Sequence, residues 1–477
     1  MNLKKTKIVC TIGPASDSEE MLTKLAEAGM NVARLNFSHG DHDEHKARIE
    51  KIKAVREKTD RPIGIILDTK GPEVRLGKFE DGRAEINEGD EIIVTTEDIL
   101  GTNKKFSLTY KEMPQEVKIG SKILIADGML QLEVIATGET EVRAKALNSG
   151  VLTDRKNVNI PGATSKLPAL MDKDIDDLKF GIENGIDIVA ASFIRKASDV
   201  LKIRRVLIDN GGEGIHIISK IENREGVENI GEILEVSDGI MVARGDLGVE
   251  IPTEEMPLVQ KELIRRANEA GKPVITATQM LESMIKNPRP TRAEVTDIAN
   301  AILDGTDAVM LSGETAIGEY PEEAVRIMSS VAIKTESTLD MKKRIVVGGI
   351  PKLNSVSNAI SLATCTTAYD LGVKAIVVPT NSGTTARLVS RFRPDMPIIA
   401  TVYDYKVMRR LSLLYGVYPV VVKRSSNTDE AIENSIEAAM ASGLVKERDY
   451  VVITAGIPMG VSGTTNMMKV HIMGDPV

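Results

Sequence analysis

Short apolar, β-branched runs alternate with longer amphipathic stretches along the first two thirds of this chain. Eight such runs precede residue 315: Lys7–Ile12, Val32–Asn36, Ile63–Leu67, Ile186–Ser192, Ile215–Lys220, Gly239–Ala243, Pro273–Thr278 and Asp307–Leu311. Runs this short and apolar suit strands buried on both faces, and the helix-period segments between them predict parallel βα units. Helix punctuation agrees. Ser16-Asp17-Ser18-Glu19 has the spacing of a capping box ahead of Met21, Leu22 and Leu25, and Gly29 supplies a stop. The segment Glu254–Ala270 sets Val259, Leu263 and Ala267 on one face and ends at Gly271-Lys272-Pro273. Eight units, with no Gly-rich dinucleotide fingerprint after the first strand, predict a closed (β/α)₈ TIM barrel rather than an open doubly wound sheet.

The rhythm breaks once, between the third and fourth runs, where the gap is far too long for a structureless loop. Within it Glu91–Thr95, Lys122–Ile125, Gln131–Ile135 and Glu141–Ala146 alternate apolar and polar positions, separated by turn signals such as Asp127-Gly128 and Gly138-Glu139. This predicts an inserted small β-barrel acting as a lid. Past about residue 340, strand-like runs at Ala375–Pro379, Pro397–Val402, Val417–Val422, Tyr450–Thr454 and Val470–Met473 alternate with helical stretches, which predicts a C-terminal open α/β domain. The expected division is 1–72 with 164–340 for the barrel, 73–163 for the lid and 341–477 for the last domain.

Composition narrows the functional classes. Lys and Arg number 61 against 69 Asp and Glu, a formal charge of −8, with no Trp and 3% aromatic residues. No global basic field or stacking surface invites nucleic acid. No apolar run is long enough to span a membrane, and Cys10 and Cys365 stand far apart in apolar segments, as core thiols of a cytoplasmic protein would. An acidic chain that handles phosphates must gather its cations locally.

Polar residues just past the C-terminal ends of barrel strands are the ones aimed at a ligand. Here they are Arg34, Asn36 and Ser38; Asp68, Thr69 and Lys70; Lys220 and Glu222; Arg244, Gly245 and Asp246; Thr278; and Ser312 with Glu314. Glu222 and Asp246, from neighbouring strands, could share one Mg²⁺ with waters and substrate oxygens; barrel-mouth ion pairs are the alternative. Lys220 lies on the same strand face as Glu222 and could aim an ammonium at a phosphate. Arg34, Lys70, Arg75 and Arg244 read as further cations of one anion site. Asn36, Ser38, Asp68 and Thr69 offer oxygens that suit a large monovalent ion better than Mg²⁺. His39, His42 and His45 read as surface residues at a helix start. No Ser-His-Asp or Cys-His arrangement is visible, which fits phosphoryl transfer, where positioning and charge neutralisation dominate. In the last domain, Thr380-Asn381-Ser382-Gly383-Thr384-Thr385 sets hydroxyls and amides between a strand and a helix, the setting of a phosphate site or of a plain capping loop. A C–C lyase on pyruvate-like enolates would also use Glu222 and Asp246 but has no need of Lys220 or a lid. A metabolite sensor would bind without turnover.

Several long segments resemble the pyruvate kinase family: Met30–Gly40, Leu67–Glu73, Ile218–Asn223, Met241–Gly248 and Ala277–Met284, in the family's order along essentially the whole chain. The resemblance implies a homotetrameric enzyme that transfers the phosphoryl group of phosphoenolpyruvate to ADP, giving pyruvate and ATP, with Mg²⁺ (or Mn²⁺) and K⁺. It implies Mg²⁺ on Glu222 and Asp246, K⁺ on Asn36, Ser38, Asp68 and Thr69, and Lys220 and Arg34 on the phosphoryl group. It further implies the substrate carboxylate on Gly245, Asp246 and Thr278, nucleotide contacts from Arg75 and Lys156, and Thr278, Ser312 and Glu314 near the route that protonates enolpyruvate. Glu73 matches K⁺-dependent members. Many relatives activated by fructose bisphosphate carry Trp and Arg in the last loop, where this chain reads Ala455–Thr465 with neither. AMP or a sugar monophosphate is therefore an equal expectation for the activator. The chain ends at Val477, so the extra C-terminal domain of some bacterial relatives is not expected.

Overall fold

The computed structural model describes residues 3–162, 166–339, 355–458 and 463–476. The expected boundaries at 163/164 and 340/341, and residues 459–462 of the last loop, lie outside the described residues. All eight runs form strands: β1 (Lys7–Thr11), β2 (Val32–Asn36), β3 (Gly64–Asp68), β4 (Ile188–Ala191), β5 (His216–Ile221), β6 (Gly239–Ala243), β7 (Val274–Ala277) and β8 (Ala308–Leu311). They close into a parallel barrel in the order β1-β8-β7-β6-β5-β4-β3-β2. Val9, Val32, Ile66, Ile188, Ile218, Met241, Ile275 and Met310 fill its interior, and the alternate positions, such as Cys10, Leu35 and Leu67, pack under the helices. That two-sided burial is why the strands read as unbroken apolar runs.

Helix Glu19–Ala28 starts from Ser18, whose Oγ accepts from the Met21 amide at 3.1 Å. The capping box does not start at Ser16, as its spacing suggested. Ser16 is buried and closes a turn on Gly13 instead. Helix Met256–Ala270 buries Leu263 and Ala267 and ends at Gly271, whose φ of +64° is left-handed.

Between β3 and β4 the chain builds a six-stranded sheet and a two-stranded one around a shared core that includes Leu76, Phe106, Ile123, Leu132, Val142 and Leu152. The last domain is a five-stranded sheet, Val417–Val421, Ile398–Val402, Ala375–Pro379, Tyr450–Gly456 and Thr465–Ile472 in that order, with only the last strand antiparallel. It docks under the barrel. Leu413 joins the barrel's interior cluster, while Arg387 donates to Gly271 O (2.5 Å), Arg391 to Glu269 O (3.0 Å) and Arg393 to Thr306 O (2.9 Å). These carbonyls end the helices Met256–Ala270 and Arg292–Asp304, so the guanidiniums sit at the negative ends of the helix dipoles. Among the described residues, no helix is long and apolar enough to cross a membrane.

Candidate active site

Strand register assembles the mouth. β1 pairs with β2 at Thr11 and Arg34, β2 with β3 at Asn36 and Asp68, and β6 with β7 at Ala243 and Ala277. Positions 34, 68 and 220 continue the inward rows of 32, 66 and 218, so their side chains rise out of the barrel's interior on top of its apolar fill. Asp68 is the hub. Its Oδ2 accepts from Arg34 Nε at 2.6 Å and its Oδ1 from Lys220 Nζ at 3.1 Å. Arg34 also donates to Thr11 Oγ1 at 2.9 Å. Burial works against the Asp68 charge, but Arg34 and Lys220 outweigh it and hold its pKa below the usual carboxylate value.

Lys220 Nζ is coordinated by three oxygens: Asp68 Oδ1, Ser192 Oγ at 2.8 Å and Glu222 Oε1 at 2.9 Å. Burial disfavours its charge, yet Asp68 and Glu222 raise its pKa above that of an ordinary lysine, so it stays an ammonium. The other Glu222 oxygen accepts from the Phe193 amide at 2.6 Å. Asp246, in the first turn of helix Arg244–Glu250, faces Glu222. Burial and then the Glu222 carboxylate push its pKa up to about 7. Glu222 is buried and Asp246 half-buried, and two neighbouring carboxylates of which one has its charge disfavoured fit a hard dication whose remaining sites go to water and substrate oxygens. Both line a cleft of about 290 Å³ between the barrel and the inserted domain, together with Glu73, Asn157 and Phe193.

Other expected residues fall into place with different partners. Asn36 Oδ1 accepts from the Ser38 amide (3.2 Å) and Thr69 Oγ1 from the Ser192 amide (3.0 Å), which gathers Asn36, Ser38, Asp68 and Thr69 at the β2–β3 rim. Thr278 Oγ1 accepts from the Gly245 amide (2.8 Å) and donates to Ala277 O (2.6 Å). Glu314 is buried; its oxygens take the amides of Leu281 (3.0 Å) and Ser312 (2.7 Å), while burial pushes its pKa up. Ser312 Oγ is buried with no partner among the described residues. Arg75 pairs with Glu73 at 2.6 Å on the neck of the inserted domain, and Lys156 lies exposed on the segment paired with it. In the last domain, Thr380 Oγ1 accepts from the Gly383 amide (3.1 Å), Ser382 and Thr384 share a hydroxyl contact (2.9 Å), Thr385 meets Thr465 (2.8 Å), and Asn381 Oδ1 is buried with no partner among the described residues.

Two expectations are corrected. Arg244 is not part of the anion cluster: its guanidinium turns sideways onto Asp297 (2.6 Å) and the carbonyls after β7. His45 is not a surface residue. It is 1% exposed, stacked on Phe37 with centroids 3.9 Å apart, and His42 stacks on Phe180 and pairs with Asp177 at 2.8 Å. Ser192 and Thr11 were not singled out from sequence although they hold Lys220 and Arg34. Their one signal was position, Ser192 closing the fourth run and Thr11 facing Arg34 across the first pair.

Comparison with known proteins settles the family. Residues 3–325 match the model of the pyruvate kinase barrel domain, and residues 358–471 that of the pyruvate kinase alpha/beta domain. The chain belongs to the pyruvate kinase family. It is 53% identical to a pyruvate kinase of Staphylococcus epidermidis over 100% of this chain and 81% of that one, and 52% identical to one of Staphylococcus aureus over the same shares. A crystal structure of a pyruvate kinase from Cryptosporidium parvum superposes with a TM-score of 0.94 at 42% identity, covering 98% of this chain and 96% of that one. This pyruvate kinase family member is thus a phosphotransferase, and the charged mouth just described is its candidate active site.

Proposed function

We propose that the enzyme transfers the phosphoryl group of phosphoenolpyruvate to ADP, giving pyruvate and ATP, with Mg²⁺ (or Mn²⁺) on Glu222 and Asp246 and K⁺ on Asn36, Ser38, Asp68 and Thr69. The observation that carries this reading is the ammonium of Lys220, kept charged between Asp68 and Glu222 beside a pair of mutually repelling carboxylates. A bound dication supplies positive charge to phosphate and carboxylate oxygens. Lys220 and Arg34 neutralise the charge that spreads over the phosphoryl oxygens in flight, where positioning and electrostatics do most of the catalysis. The amides of Gly245 and Asp246, with Thr278, hold the substrate carboxylate. Thr278, Ser312 and Glu314 line the route by which the enol carbon gains its proton. Arg75 and Lys156 serve the nucleotide once Arg75 exchanges Glu73 for phosphate.

The reading extends to regulation and assembly. The hydroxyls and amides of Thr380, Asn381, Ser382, Gly383, Thr384 and Thr385 receive a phosphorylated small-molecule activator, with AMP or a sugar monophosphate as fit as fructose bisphosphate, since Ala455–Thr465 has neither Trp nor Arg. The enzyme is a cytoplasmic homotetramer divided at 72/73, 163/164 and 340/341. A coupled assay with phosphoenolpyruvate, ADP and Mg²⁺, with and without K⁺, titrated with AMP, ribose 5-phosphate and fructose bisphosphate, tests the whole. Pyruvate should form fastest with K⁺ and an activator present, and no pyruvate under any condition would sink the reading.

A further inference from the structure

The turn that follows β7 is strained. Thr278 and Gln279 have φ of +67° and +54°, left-handed values that a β-branched residue adopts only when its surroundings impose them. Arg244, from the neighbouring strand end, braces this turn. Its guanidinium donates to the carbonyls of all three residues in the turn: Ala277 (3.3 Å), Thr278 (2.6 Å) and Gln279 (3.3 Å). Asp297 on helix Arg292–Asp304 grips it at 2.6 and 2.8 Å, and Gln260 Oε1 accepts at 3.3 Å. Thr278 Oγ1, on the far side of the turn, meets the Gly245 amide. One planar fork therefore fixes the backbone of Thr278 and is chained to the segment that bears Asp246.

We infer that Arg244 is a positioning residue for proton delivery: it never meets substrate, and it holds the Thr278 hydroxyl in line with the enol carbon by stabilising a backbone shape Thr278 would otherwise leave. This rests on the role proposed above for Thr278. Lysine at 244 keeps the charge but loses the fork. Glycine at 279 takes a positive φ without steric cost and so relieves part of the need for the clamp.

The test uses the full chain with Mg²⁺ and K⁺ and follows exchange of pyruvate methyl protons into heavy water by NMR, alongside phosphoryl transfer and the KM for phosphoenolpyruvate. Arg244→Lys should lose exchange on the order of a hundredfold with little change in KM, as expected for a misplaced catalytic group. The pair Arg244→Lys with Gln279→Gly should recover about tenfold of that loss. An unchanged exchange rate in Arg244→Lys, or a loss that Gln279→Gly does not relieve, overturns the inference. Should Arg244→Lys not fold, Asp297→Asn serves: exchange falls about tenfold, and a parental rate overturns the inference. Thr278→Ala separates the two layers. If it keeps parental exchange, the role of Thr278 fails; if it loses exchange while Arg244→Lys does not, Arg244 alone fails.

Discussion

Lys220 Nζ lies 2.9 Å from Oε1 of Glu222, the residue just past the end of its own strand, and the same ammonium reaches Asp68 on a strand two places away in the barrel. A single cation thus satisfies the carboxylate proposed to hold Mg²⁺ and the one proposed to hold K⁺. Both face the mouth because positions of equal parity on parallel strands share a face.

Replacing that cation separates charge neutralisation from proton transfer. Lys220→Met should reduce phosphoryl transfer to ADP by on the order of a thousandfold, because a preorganised charge is lost from a water-poor site. Exchange of pyruvate methyl protons, proposed above to run through Thr278, should partly survive. Coupled assay and NMR exchange on the same preparation decide the matter, and transfer at the parental rate would remove Lys220 from the mechanism.

Protons and Mg²⁺ should compete at Asp246. With its pKa near 7, the carboxyl is half protonated at neutral pH and must ionise before it can ligate. Apparent Mg²⁺ affinity is therefore expected to fall by up to about tenfold per pH unit below 7 and to level off above it. Calorimetric titration of Mg²⁺ at pH 6 and pH 8 measures this, and Asp246→Asn should bind weakly at both. Equal affinities in the parent at the two pH values would contradict the assignment.

The barrel was legible in sequence because strands covered on both faces leave unbroken apolar runs, and each of the eight runs matches its strand to within two residues at either end. Lys220, Glu222 and Asp246 were legible for the same reason, since strand ends announce the mouth. The direction of a long side chain was not. Arg244 sits among mouth residues in sequence, but Asp297 is supplied by the helix of the next βα unit and turns it aside. His45 looked exposed among polar neighbours, yet it stands one turn before Ile49 on the stripe of Ile49, Ile52 and Val55 that the helix His42–Thr59 buries, with Phe37 stacked on its ring; the helical period was there to be read and the polar residue type masked it.

The docking of the last domain gives a stability prediction. Arg393 is 5% exposed, bonds Thr306 O, pairs with Asp307 at 3.2 Å and stacks on Tyr415 at 4.4 Å. Arg393→Met strips a buried carboxylate of its partner and uncaps a helix end, a loss of about 3–5 kcal/mol. Urea unfolding should show it as a lower midpoint. A midpoint within error of the parent would mean that Asp307 finds another cation or that the interface is not formed as described.

Acid should unfold the protein through His45. Burial pushes its pKa down to about 4, although the backbone carbonyl of His39 accepts at 2.9 Å, and its Nδ1 is buried with no partner among the described residues. The unfolded chain binds the proton near pH 6.5, so between about 6.5 and 4 it carries more protons than the folded one and stability falls as pH falls. Above that window the contribution is full; below it, constant. Its size is roughly 3 kcal/mol, from the displacement between the two values. His216, whose pKa burial likewise lowers to about 4, adds to the same slope. His45→Gln keeps a donor for the His39 carbonyl and removes the titration. Urea midpoints at pH 7 and pH 4.5 should therefore converge for the variant more than for the parent. Identical pH slopes in the two proteins would show that His45 is not held neutral in the fold.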